Sequence, residues 1–272
     1  MTPVPSQTKY QKIFTQRLNQ NSMNKNKQKI TLYCLPFAGG NAISYRDFQA
    51  HVASPLHVAP IELPGRGKRI REPLQTNAQA IVDDVFHQIQ NDIKGKPYAI
   101  FGHSMGALLG YLLTKRILSA RLPAPLHLFF SGRRAPSVID KRPNKHGLPK
   151  KEFINYIHEL GGLPREILDN AELVDFFEPI LRADFKAIET YVYNPTSPFN
   201  LPMTIWHGLE DDEVAYAELP PWQLETRQSI SIKPFPGGHF FIFDHLPQIG
   251  QLFSKTLAIA LQKKVVMPAT YN

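Results

Sequence analysis

The pentapeptide Gly102-His103-Ser104-Met105-Gly106 sets a hydroxyl between two glycines in the pattern G-x-S-x-G. A short apolar run, Tyr98-Ala99-Ile100-Phe101, precedes it, and a helix-favouring run, Ala107-Leu108-Leu109-Gly110-Tyr111-Leu112-Leu113, follows. Strand, tight turn and helix in that order describe a nucleophile elbow with Ser104 at its apex. A serine on so sharp a turn takes a strained backbone, and its glycine neighbours lie where a Cβ would clash with adjacent chain. The turn lifts the hydroxyl above the sheet edge and aims the free N–H groups of the helix start at a reacting carbonyl. The five residues alone occur by chance in loops. The strand before them and the helix after them carry the inference.

A serine hydroxyl is a weak nucleophile unless a base takes its proton and an acid orients that base. On an α/β-hydrolase chain the order is Ser, Asp or Glu, His. After the apolar run ending at Trp206 comes His207-Gly208-Leu209-Glu210-Asp211-Asp212-Glu213-Val214, a loop with four carboxylates. Asp211 is favoured as the acid, with Asp212 as the neighbour it must beat. The last apolar strand is followed by Pro236-Gly237-Gly238-His239-Phe240-Phe241, which makes His239 the base among ten histidines. His103 lies inside the elbow and His207 ends a strand, so both read as structural, and His245 lies too far past the loop. No H-x-H or H-E-x-x-H spacing occurs, so a zinc site is not expected. A developing oxyanion needs two N–H donors. Met105, just after the nucleophile, supplies one. The loop Pro36-Phe37-Ala38-Gly39-Gly40 supplies the other, with Ala38 first choice and Phe37 next; a plain turn at Gly39-Gly40 is the bland alternative.

The elements that must hold these groups alternate along the chain. Strands are predicted at Ile30–Leu35, His57–Ile61, Tyr98–Phe101, Leu126–Ser131, Pro202–Trp206 and Ser229–Phe235, and helices at Ala78–Ile93, Met105–Ser119 and Leu246–Gln262. Apolar strands between amphipathic helices give an α/β fold with a mostly parallel sheet covered on both faces. About seventy residues separate the fourth and fifth strands, far more than a crossover needs. Within them, Phe153, Ile157 and Leu160 share a helical face, Leu173 to Leu181 suggest a second helix, and Phe185–Tyr193 suggests a separate crossover helix. The stretch reads as an inserted helical lid over about 140–185, its helices spanning Lys150–Arg182. A helical pair packed at the side is the alternative. Ligands bind at strand carboxyl ends in open α/β sheets, which favours the lid.

At 272 residues with 43% apolar content, one large domain over 30–264 is expected. The net charge of +8 suggests nucleic acid until it is located. Residues 1–29 hold Lys9, Lys12, Arg17, Lys25, Lys27 and Lys29 with no acid, leaving the remainder near neutral. The N-terminal segment reads as a disordered basic tail, with Met23 as a possible alternative start, and 265–272 as a C-terminal tail. It lacks the apolar centre of a secretory signal, and no apolar run is long enough for a bilayer. The single cysteine, Cys34, sits in an apolar strand and reads as a core residue of a cytoplasmic protein.

With elbow, acid loop and histidine loop in place, the chain resembles the type II thioesterases, the editing enzymes of non-ribosomal peptide and polyketide synthesis. The resemblance runs from about Ile30 to Leu261. It rests on Leu35-Pro36-Phe37-Ala38-Gly39-Gly40, Leu63-Pro64-Gly65-Arg66-Gly67, the elbow, and Ser131-Gly132-Arg133-Arg134-Ala135-Pro136. Leu160-Gly161-Gly162-Leu163-Pro164, Pro179-Ile180-Leu181-Arg182-Ala183-Asp184-Phe185 and Gly237-Gly238-His239-Phe240 add to it. It implies an α/β-hydrolase fold and hydrolysis of acyl groups from the phosphopantetheine arm of a carrier protein, through an acyl-Ser104 intermediate and without metal or organic cofactor. The partners it implies are an acyl- or peptidyl-carrier protein and small acyl thioesters, met by a monomer, with no nucleic acid or membrane involved. Relatives in activity release medium-chain fatty acids from fatty-acid synthase. A carboxylesterase acting on oxygen esters is the runner-up enzyme, and a non-catalytic binding protein is disfavoured by the apparently complete triad. Because carrier proteins are acidic, Arg133, Arg134, Lys141, Arg142, Lys145, Lys150 and Lys151 are expected to form a docking surface; ordinary solvated charge is the alternative.

Overall fold

The computed structural model describes residues 28–266, and side chains through residue 263. The expected tails at 1–29 and 265–272 lie almost wholly outside the described residues, as does Met23. Six strands form one sheet in the order β2-β1-β3-β4-β5-β6: β1 Ile30–Leu35, β2 Leu56–Pro60, β3 Tyr98–His103, β4 Leu128–Ser131, β5 Met203–Gly208 and β6 Ser231–Phe235. Every neighbouring pair is parallel. This is the parallel sheet expected from the alternation, and it fits the α/β-hydrolase fold that the resemblance implies.

Strand side chains alternate between two cores, as the pleat requires. Tyr33 and Leu35 pack with α1 (Ala78–Ile89) and α2 (Met105–Ser119) on one face. Leu32, Cys34 and Phe101 pack with α6 (Leu246–Val266) and the 3-10 stretch Ala42–His51 on the other. Cys34 is fully buried, and burial pushes its thiol well above its ordinary range, so it is an inert core residue. No helix among the described residues is long and apolar enough to cross a membrane.

Between β4 and β5 stand α3 (Lys150–Glu159), α4 (Arg165–Leu168) and α5 (Ala171–Glu189). Phe153, Ile157, Leu163, Val174, Leu181 and Phe185 give them a small core of their own. The expected break between a lid helix and a crossover helix at Phe185–Tyr193 is absent. One helix runs from Ala171 through Pro179 to Glu189. Asn170 caps its first turn, accepting from the Glu172 and Leu173 amides. Its second half is anchored by buried Ile180, Leu181, Ala183, Asp184 and Phe185, so packing outweighs the cost of an internal proline.

Candidate active site

Ser104 is the residue between β3 and α2, with φ 52° and ψ −115°. A side chain cannot be added on either flank. A Cβ on Gly102 would lie 2.0 Å from the Gly106 carbonyl oxygen, and one on Gly106 would lie 2.2 Å from the Leu35 carbonyl oxygen. The two glycines therefore let the turn close on itself and let α2 press against the end of β1. The backbone strain is local to the serine and is held by the buried β3–α2 junction.

His239, on the loop after β6, brings Nε2 to 2.9 Å from Ser104 Oγ. Its Nδ1 lies 2.9 Å from Asp211 Oδ2. Asp211 Oδ1 accepts from the Glu213 and Val214 amides at 2.9 and 3.3 Å. The His239 and Asp211 side chains are 2% and 0% exposed. Burial alone would raise the Asp211 carboxyl. The hydrogen bond to His239, the charge there and the two amides outweigh it, so its pKa is lowered and it stays ionised. Asp212 is exposed on the same loop. The structure brings Asp211, not Asp212, to the imidazole.

His103 is buried, with Nδ1 2.7 Å from Ser131 Oγ. Burial, then the neighbouring His239, holds it well below its ordinary pKa, so it is a neutral packing group. Its ring lies 5.1 Å from that of His239, and Phe240 packs edge-on to His239 at 5.2 Å. His207 is buried in β5, and His245 Nε2 meets the Pro236 carbonyl at 2.9 Å. Neither joins the relay.

Neither the Met105 nor the Ala38 amide has an acceptor among the described residues. Met105 begins α2 directly after Ser104, and Ala38 lies on the loop after β1, where the Phe37 ring stands 6.2 Å from the His103 ring beside the nucleophile. That loop is held from above. Asp184 of α5 accepts from the Gly39 amide at 2.7 Å and takes a bidentate pair from Arg66 at 2.6 and 2.7 Å. Arg66 also reaches the Gly40 carbonyl at 3.3 Å. The Arg66 and Asp184 side chains are 4% and 0% exposed. Sequence reasoning quoted both within motifs but gave neither a task. A buried aspartate carries no periodic signal, and its arginine lies 118 positions away.

The expected basic docking surface is largely dismantled by pairing. Arg134 is buried, bound to Asp140 and to Glu218 at 3.0 Å. Arg142 pairs with Asp140 and Glu213, and Lys150 with Asp175 and Glu178. Lys145 sits 5.0 Å over the Tyr156 ring. Arg133 is half-buried and lines a cavity. Only Lys141 and Lys151 of the seven are exposed without a carboxylate partner among the described residues. No group of three or more metal-ligating side chains is found among those residues.

A serine hydroxyl, an imidazole and a buried carboxylate in line form a proton relay suited to acyl transfer. The model of the thioesterase domain family matches residues 30–257. The chain belongs to the thioesterase family. This thioesterase is 35% identical to the gramicidin S biosynthesis protein GrsT of Aneurinibacillus migulanus over 255 residues, covering 93% of the chain and 99% of the relative. Among solved structures it resembles ClbQ from the colibactin NRPS/PKS pathway, with TM-score 0.83, 33% identity, and coverage of 88% and 100% of the two chains. It also resembles BorB, a type II thioesterase from the borrelidin biosynthetic cluster, with TM-score 0.78, 30% identity, and coverage of 85% and 94%. The thioesterase is thus a hydrolase of thioesters, and its kin serve the assembly-line synthesis of peptides and polyketides.

Proposed function

We propose that this thioesterase clears acyl groups from the phosphopantetheine arm of carrier proteins in non-ribosomal peptide or polyketide synthesis, with Ser104, His239 and Asp211 as its catalytic groups. His239 Nε2 accepts the Ser104 proton as Oγ attacks the thioester carbonyl. The tetrahedral oxyanion is held by the Met105 and Ala38 amides. Collapse breaks the C–S bond, and the imidazolium gives its proton to the departing thiolate. The acyl-Ser104 ester is then attacked by water, whose proton His239 takes and returns to Ser104 as the carboxylic acid leaves. Asp211 keeps the imidazole in the tautomer with Nδ1–H toward the carboxylate and stabilises the imidazolium. A buried thiol is not needed, and Cys34 on the strand below fits a protein of a reducing compartment such as the cytoplasm.

The observation that carries this reading is the continuous Ser104–His239–Asp211 relay at 2.9 Å and 2.9 Å, in a chain whose relatives serve such pathways. Lys141 and Lys151 remain as docking charges for an acidic carrier. The test compares one acyl group on a carrier protein, on free pantetheine and on nitrophenol. The expected order of kcat/KM is carrier thioester, then pantetheine thioester, then oxygen ester. The reverse order would assign the site to a carboxylesterase.

A further inference from the structure

A cavity of about 390 Å³ opens between the loop after β4, the start of the helical insertion and the C-terminal end of α5. That size falls in the range of small-molecule sites. It abuts the loops that hold the relay. Gly132, one residue before Arg133, comes so close to His239 that a Cβ on it would lie 3.3 Å from Cε1. Glu213, also in the wall, donates its amide to Asp211. The apolar part of the lining includes Ile139, Phe185, Ile188 and Val192.

The charged part is uneven. Asp140 is shared by Arg134 and Arg142. Glu213 takes Arg142 and, at 2.7 Å, the Tyr156 hydroxyl. Glu189 takes the Lys145 and His146 amides at 2.6 and 3.0 Å and His146 Nδ1 at 2.5 Å. Every carboxylate of the wall therefore has its cation or donors. The Arg133 guanidinium has no hydrogen-bond or ion-pair partner among the described residues, although its own carbonyl is fixed by Trp222 Nε1 at 3.0 Å. Burial, and then the like charge of Arg134, push its pKa down to about 10, a cost that a bound anion would remove. An unpaired guanidinium beside an apolar wall suits a ligand with a short chain and an anionic group, since Arg forms charge-assisted, bidentate bonds to carboxylate and phosphate.

We propose that this cavity receives an anionic group of the thioester substrate, bound by Arg133. The group is either a carboxylate ending the acyl chain or the phosphate of the pantetheine arm. The proposal rests on the thioesterase reading and makes Arg133 a specificity residue of that site.

Calorimetric titration of glutarate and of phosphopantetheine into the wild type and Arg133→Gln tests binding without turnover. At least one probe should bind the wild type, about tenfold tighter than it binds Arg133→Gln, as expected for loss of a charged hydrogen bond. Arg133→Lys should recover part of the difference. Hydrolysis then separates the sources. A carboxylate site makes the wild type prefer ω-carboxyacyl over simple acyl N-acetylcysteamine thioesters. A phosphate site makes it prefer acyl-phosphopantetheine over acyl-pantetheine. In either case Arg133→Gln should lower that preference ratio about tenfold. Binding of neither probe, or equal binding by both proteins, overturns the proposal. So does a preference ratio that Arg133→Gln leaves unchanged. Absence of hydrolysis of any thioester, with probe binding intact, would instead count against the thioesterase reading.

Discussion

Ser104→Ala is expected to lower thioester hydrolysis by at least about 10⁴-fold while the protein melts near the wild-type temperature. The hydroxyl is the group that bonds to carbon, and no other side chain at the elbow can take its place. His103 is buried with one nitrogen against Ser131, so it offers no alternative. Alanine keeps the positive-φ turn with no new side-chain bulk, so the fold has little reason to change. In the same assay Asp211→Asn should lose on the order of 10⁴-fold, because an amide no longer fixes the imidazole tautomer. Asp212→Asn should stay within a factor of about two, since its exposed carboxylate touches no part of the relay. Steady-state hydrolysis of an acyl-pantetheine by the three variants checks all of this. Equal losses for Asp211→Asn and Asp212→Asn would contradict the assignment.

Asp184→Ala should lower both stability and kcat. The aspartate and Arg66 are a buried, bidentate ion pair, and removing one partner leaves the other charge uncompensated, at about 3–5 kcal/mol. The kinetic effect has a separate origin. Asp184 accepts from Gly39, the residue after Ala38, so its loss frees the loop that offers the second oxyanion donor. Losing one such donor typically costs on the order of 10²–10³ in rate. At a temperature where the variant is still folded, kcat should fall by about 10²-fold with a smaller change in KM. Asp184→Asn keeps an acceptor for Gly39 and should recover part of kcat. A folded Asp184→Ala with wild-type kcat would show that the pair stabilises the fold without placing the donor. Because Asp184 stands on α5, this contact also ties the helical insertion to the reacting centre.

The fold was legible because its signals are local. β1 to β5 are largely apolar runs between turn residues, while β6, Ser231-Ile232-Lys233-Pro234-Phe235, is mostly exposed. β3 and β5 extend past their apolar runs because Gly102-His103 and His207-Gly208 continue the ladders. The elbow itself was legible for steric reasons, since its glycines answer contacts of about 2 Å that any side chain would make. The acid loop was legible only as a loop: Asp211 and Asp212 are alternatives in sequence, and which one faces His239 is decided by tertiary placement. The insertion divides differently from its expected pattern because the polar Arg182 and Asp184 separate two apolar stretches, while the contacts that keep α5 continuous, such as Asp184 with Arg66, come from distant segments. Arg134 and Arg142 share the nearby Asp140, but each also needs a second carboxylate, Glu218 and Glu213, that lies more than seventy positions away. Long-range polar pairs of this kind leave no periodic trace, and they are the part that sequence patterning does not reach.

The most direct measurement is of nucleophile activation. An alkyl fluorophosphonate phosphonylates only serines whose proton is being taken, and peptide mapping by mass spectrometry locates the adduct. The account predicts one phosphonyl group per chain, on Ser104, and a labelling rate that collapses in His239→Ala although Ser104 is intact. Labelling of another residue, or of Ser104 at the wild-type rate in His239→Ala, would contradict it.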